Sequence, residues 1–310
     1  MPDTPTGASS AIASSGASWL DDEAPGSITP SVGAETESPG EPSRTLIDVL
    51  SGSSLNTFLR CARQWEYAYV FRLKRPPNLK MVVGTAGHKA AEVNLRAKLE
   101  TLEDLPEDEV LDAYSDSYDV ESVDAIEEPD KGMTKGSMKD TGIASVKFWR
   151  KEVAPPIQPM LVEQPFSFDI DGIPYTGTFD LAELDNSVWD HKFTNKTPSS
   201  AEAYILNMVG YAIGFRVATG IVEKQVILNN VVALKKGPKQ ARFRSPGPVP
   251  DESIRAFAGI VRDANRSIQA GIFPPTGIKS GACSWCGYRD ICPAYKESPM
   301  GPREDADGTP

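Results

Sequence analysis

The chain has 310 residues, with 32 Lys plus Arg against 43 Asp plus Glu and a formal net charge of −11, a balance that at first sight argues against a polyanionic partner. It contains no run of about 18 apolar residues and its N-terminus lacks a basic-then-apolar leader pattern, so a membrane-spanning or exported protein is disfavoured and a soluble, intracellular one is expected. Its four cysteines, in a reducing compartment, favour metal over disulfides.

Residues 1–44 are rich in Ser, Ala, Gly, Pro and Thr without an apolar period, and 297–310 are similar, so both read as disordered tails. The remaining 45–296, about 250 residues, suffice for one large domain. Charge is unevenly spread. With −6 on residues 1–44, −3 on 297–310, and fourteen acids without a Lys or Arg on 100–130, the rest of the chain carries +12. A basic surface interrupted by one acidic excursion suits phosphate binding, and the 100–130 block itself reads as a solvated helical insertion.

In chain order, Leu55, Phe58, Leu59, Ala62, Trp65 and Tyr69 keep helical spacing from Ser53 onward, which puts Cys61 on a helix. A second helix is predicted over 84–99, with His88 and Glu92 one turn apart, and further helices near 106–126 and 137–152. Alternation then predicts strands over 160–170, 173–184 and 187–193, joined at Asp171-Gly172 and Asp185-Asn186. An apolar stripe of Leu206, Val209, Gly210, Ile213 and Val217 predicts a helix over 199–219. A strand over 223–234, a mobile loop from Lys235 to Arg244 and a helix over 251–270 follow. The order implies an α/β domain with a central mixed β-sheet flanked by helices. There is no internal repeat, and the lack of a G-x-x-x-x-G-K-[ST] loop argues against an intrinsic ATPase.

Strand periodicity places Val188, Asp190 and Lys192 on one face, and a hairpin at Asp185-Asn186 brings Asp180 beside Asp190. Two adjacent carboxylates repel unless a cation lies between them. Oxygen ligands select Mg2+ or Mn2+, which would activate water toward a phosphodiester, with Lys192 positioning or deprotonating that water. His88 lies among small residues in Gly84-Thr85-Ala86-Gly87-His88. Glu163, on the first predicted strand, reads as a solvated strand charge, with a further acid of the site as the alternative. The cysteines form a C-x2-C-x5-C group, Cys283, Cys286 and Cys292, plus the distant Cys61. That is a four-ligand set for an iron-sulfur cluster or zinc that would staple the ends of one domain together.

Ser53-Ser54-Leu55-Asn56-Thr57-Phe58 running into Cys61, G-x-x-x-H at Gly84 to His88, G-x-x-D at Gly177 to Asp180, D-x-K at Asp190 to Lys192, and the terminal cysteines occur in an order that resembles the RecB-like branch of the PD-(D/E)XK nucleases. Within that branch the four-cysteine pattern is similar to that of CRISPR-associated and phage-encoded exonucleases and of the AddB subunit. The resemblance covers residues 51–293. It implies a restriction-endonuclease-like core in which His88, Asp180, Asp190 and the carbonyl of His191 bind Mg2+ or Mn2+, with Lys192 catalytic, and a 4Fe-4S cluster on Cys61, Cys283, Cys286 and Cys292; zinc would accept the same thiolates.

Where family members carry Q-x-x-x-Y, this chain has Asn207 and Tyr211, one methylene shorter at the amide, as DNA-positioning residues. The implied function is DNA exonuclease activity on single-stranded or frayed ends, in recombination, repair or phage DNA processing, in the cytoplasm of a bacterium or phage-infected host and with a helicase or recombination partner. Arg60, Arg63, Arg72, Lys74, Arg75, Lys235, Lys236, Lys239, Arg242 and Arg244 would guide the backbone. The competing reading is a non-catalytic DNA-binding or assembly module of a recombination or CRISPR-adaptation complex.

Overall fold

Two tight turns set the centre of the fold. Asp171 and Gly172, both at positive φ, join β3 (Pro159–Ile170) to β4 (Ile173–Glu183), and Asn186, at φ 67°, helps return the chain into β5 (Ser187–Thr194). These are the turn residues whose backbones tolerate the left-handed region. The computed structural model describes residues 28–30 and 49–296. After the meander, α6 (Ile205–Thr219) crosses over to β6 (Gln225–Val232), which pairs in parallel with β5. β7 (Lys239–Arg244) pairs antiparallel with β6 at one edge. At the other edge β1 (Ile28–Pro30) pairs antiparallel with β3, and the two-residue β2 (Leu50–Ser51) runs parallel to β4. The result is a seven-stranded mixed sheet ordered β1-β3-β4-β5-β6-β7 with β2 alongside β4.

Helices cover both faces. On one lie α1 (Gly52–Arg60), capped by the Ser51 side chain, α6, and α7 (Asp251–Gln269), around a core that includes Leu55, Trp65, Phe166, Phe179, Ile213 and Phe257. On the other lie α3 (Leu79–Thr101), α4 (Glu107–Glu121) and α5 (Lys135–Phe148), around Val82, Tyr114, Trp149, Leu181, Trp189 and Ile227. Each face thus buries its own apolar layer, the three-layer solution for an α/β sheet. No helix of the described residues is long and apolar enough to cross a membrane.

Four expectations need correction. Cys61 is not inside a helix: it is extended (φ −162°, ψ 105°) and separates α1 from α2 (Ala62–Trp65). The acidic block is no solvated appendage, because Val110, Tyr114 and Tyr118, at helical spacing on α4, are buried, and Asp104 pairs with the buried Lys98 at 3.2 Å. The segment expected to be a mobile loop ends in β7, where each residue from Lys239 to Arg244 is in register with β6. Of the expected tail over 1–44, Ile28–Pro30 forms a strand; the rest of it, like 297–310, lies outside the described residues.

Candidate active site

The sheet breaks its own period at the site. Val162 pairs with Leu181, and Gln164 with Phe179. Yet Leu181 packs with Val162 under α3, α4 and α5, while Phe179 packs in the opposite core with Phe166. Residues two apart on a regular strand share a face, so the sheet changes phase between these pairs. The residues at the break are Glu163, held in the left-handed region at φ 47°, and Asp180.

Across this break lies α3. Gly87 leaves no room for a side chain, since a Cβ there would fall 2.5 Å from Cγ and Cδ2 of Phe193 on β5. That close approach brings His88 Nδ1 to 3.3 Å from Asp180 Oδ2. The donor atoms of His88, Glu163 and Asp180 all lie within 4.8 Å of one another. Asp180 Oδ2 also accepts the His191 backbone N–H at 2.6 Å, and the backbone of His191 hydrogen-bonds the His88 ring. Asp190 is fully buried. Its Oδ1 accepts from Lys192 Nζ at 2.6 Å, while its Oδ2 is buried without a hydrogen-bond partner, an arrangement that costs free energy unless a cation approaches.

Electrostatics fit a cation as well. Burial, then Lys192, lowers His88 to about 4, which keeps the imidazole neutral and able to ligate. Burial raises Asp180 to about 6 against the opposing pull of Lys192, and raises Asp190 too. Glu163 is pushed up to about 7 by burial and then by the Asp180 charge. Desolvation lowers Lys192, but the carboxylates of Asp190 and Asp180 outweigh it and hold the amine above its ordinary range. Acids kept from ionising by burial and by each other are what a divalent ion would relieve.

The structure therefore gathers His88, Asp180, Asp190, the His191 backbone and Lys192. Tyr211 joins them: burial and then the charges of Asp190 and Asp180 raise its phenol, and its ring meets Phe166 edge-on. Asn207 is turned elsewhere. Its Oδ1 accepts from Asn56 on α1, so the two residues of that motif have separate jobs. Cys61, Cys283, Cys286 and Cys292 are unpaired and line one cavity. A Cβ on Gly277 would sit 3.3 Å from the sulfurs of both Cys61 and Cys283. Several of the basic residues already have partners: Arg63 with Glu66, Arg75 with Asp290, and Arg242 over the ring of Trp189 at 4.8 Å.

Sequence periodicity favours a solvated Glu163, whereas the structure sets it with His88 and Asp180, because the phase change that turns it inward is invisible to a period-two pattern. It also misses the support behind His191, whose Nδ1 lies 3.2 Å from Asn229 Nδ2 and whose ring is flanked by Trp149 and Trp189.

Gene 69 protein of Mycobacterium phage L5 is 25% identical over 296 residues, 82% of this chain and 99% of that protein. The crystal structure of a "Putative exonuclease" from Eubacterium rectale superposes with a TM-score of 0.53 at 11% identity, over 89% of this chain and 97% of the other, a likeness of fold. The sequence profile of the PD-(D/E)XK nuclease superfamily matches residues 49–293. With the acids, the lysine and the sheet that carries them inside that span, the chain belongs to the PD-(D/E)XK nuclease superfamily.

Proposed function

We propose that this protein is a metal-dependent DNA exonuclease acting on single-stranded or frayed ends. The observation that carries this reading is the buried, unpartnered Oδ2 of Asp190 beside the His88, Glu163 and Asp180 cluster, with Lys192 on the other oxygen of the same carboxylate. His88, Asp180, Asp190 and the His191 carbonyl would hold Mg2+ or Mn2+, with Glu163 as an added oxygen ligand. Such an ion supplies Lewis acidity toward the phosphodiester and its attacking water. Lys192, fixed by Asp190, positions that water. Tyr211 closes the site from α6, and Asn207 ties α6 to α1 through Asn56.

The four thiols fit a cluster that joins the ends of the domain. They line one cavity, and four thiolates are the ligand set of a 4Fe-4S cluster, with zinc accepting the same set. Such a cluster would tie Cys61 to a segment more than two hundred residues away.

Incubating anaerobically purified protein with end-labelled single- and double-stranded DNA, with and without Mn2+, tests the reading. Mn2+-dependent loss of the terminal label is expected. DNA binding without cleavage under any divalent ion would return the chain to the non-catalytic assembly module.

A further inference from the structure

Trp285, beside the four-cysteine cavity, is 60% exposed, and the Arg60 guanidinium lies over its ring at 4.9 Å. Arg60 hydrogen-bonds Gln64 at 3.2 Å and Thr57 at 3.3 Å, both neutral groups, and pairs with no carboxylate among the described residues, its charged neighbours being the Cys286 and Cys61 sulfurs. The neighbouring pair is different. Arg75, over Tyr288 at 5.2 Å, is neutralised by Asp290, and Tyr288 is buried with its hydroxyl on the Leu73 carbonyl. One pair is used by the fold; in the other, Trp285 is exposed and Arg60 half-buried. Residues 58–75 and 275–295, which surround it, carry a net +5.

A polar track leads from this pair to the acids. Arg60 bonds Thr57 one turn back on α1. Asn56, the next residue, donates to Asn207, and Tyr211, one turn further along α6, meets Phe166 edge-on, which in turn stacks on Phe179 beside Asp180. The track covers Arg60 to Asn56 on α1 and Asn207 to Tyr211 on α6, about 6 Å along each helix, together roughly four nucleotides at a stacked spacing of ~3.4 Å.

We propose that Trp285 and Arg60 form a base-stacking contact for single-stranded DNA, which runs along the half-buried Arg60, Thr57 and Asn56 side of α1 into the active site. The inference rests on the nuclease reading above and specifies its substrate. An indole face with an adjacent cation binds any base, but only a base that is free of its duplex partner can present its own face. The contact therefore selects single strands without selecting sequence. It also sets a minimum length of about four nucleotides between the cleaved bond and the stacked base.

The test is fluorescence anisotropy with labelled oligo(dT) of three to twelve nucleotides, in buffer without added divalent ions, using the iron-loaded wild type, Trp285→Ala, Trp285→Phe and Arg60→Gln. Trp285→Ala should bind the twelve-mer roughly 5- to 100-fold more weakly, the effect of losing one stacked base, and Trp285→Phe should keep most of the affinity. The gap between wild type and Trp285→Ala should close at three nucleotides. Arg60→Gln should reduce the salt slope by about 0.7, whereas Trp285→Ala should leave it unchanged.

Equal loss in the Phe and Ala variants, or a gap independent of length, would overturn the stacking contact. A wild type that cleaves DNA while Trp285→Ala binds normally defeats this proposal alone. A wild type that neither binds nor cleaves defeats the nuclease reading with it.

Discussion

Alanine at Gly84 and at Gly87 makes the same substitution one turn apart on α3, and the two should move stability in different directions. At Gly84 the nearest atom to an added Cβ is the Phe193 carbonyl oxygen at 3.9 Å, an ordinary contact. Alanine there gains helix propensity of about 0.5–1 kcal/mol. At Gly87 the new methyl would sit 2.5 Å from two ring carbons of Phe193 and 3.0 Å from a third. Phe193 is 6% exposed and held in the core, so its ring has nowhere to swing. Overpacking of this kind costs about 1–3 kcal/mol, which the propensity gain only partly offsets.

Gly84→Ala should therefore raise Tm by roughly 1–4 °C, while Gly87→Ala should lower it by a few degrees, at about 2–4 °C per kcal/mol for a domain of this size. The second change should also lever His88 away from Asp180 and weaken Mn2+ binding. Thermal melts paired with Mn2+ titration read both effects. Equal melting temperatures and equal Mn2+ affinities in the two variants would refute the close approach of α3 to β5.

Other substitutions separate fold from chemistry. Glu163→Gly relieves a left-handed non-glycine backbone, so Tm should hold or rise slightly while Mn2+ affinity falls; a loss of both would mean that Glu163 serves the fold. Cys61→Ala should strip the brown colour of thiolate-to-iron charge transfer and lower Tm, since it opens the closure to Cys283; unchanged iron content would remove Cys61 from the ligand set. Tyr114→Ala, at a fully buried aromatic on the acidic helix, should cost about 3–5 kcal/mol in urea unfolding, while Asp116→Ala on its exposed side should have little effect. Similar midpoints for the two would return α4 to the status of a solvated insertion.

The meander was legible because alternation and the Asp171-Gly172 turn act locally, and each needs only neighbouring residues to be read. Legibility failed where tertiary packing decides. Val110, Tyr114 and Tyr118 carry a helical apolar period, but the surrounding acids masked the face that α3 and α5 bury. β7 has few apolar residues and follows a Gly-Pro turn, so it becomes a strand only because β6 offers an open edge. Asp190 and Lys192 could be read as neighbours from strand period, and Asp180 from the Asp185-Asn186 hairpin. Glu163 could not, because its inward turn depends on one left-handed residue that no alternation pattern encodes.

If Asp180, Asp190 and Lys192 form a metal-dependent cleavage centre, cleavage and Mn2+ uptake by Lys192→Ala beside the wild type will separate its parts. Loss of the amine removes the group that positions water but leaves both carboxylates free, so cleavage should vanish while Mn2+ binding and melting behaviour persist. Wild-type cleavage by Lys192→Ala would place the chemistry elsewhere in the chain.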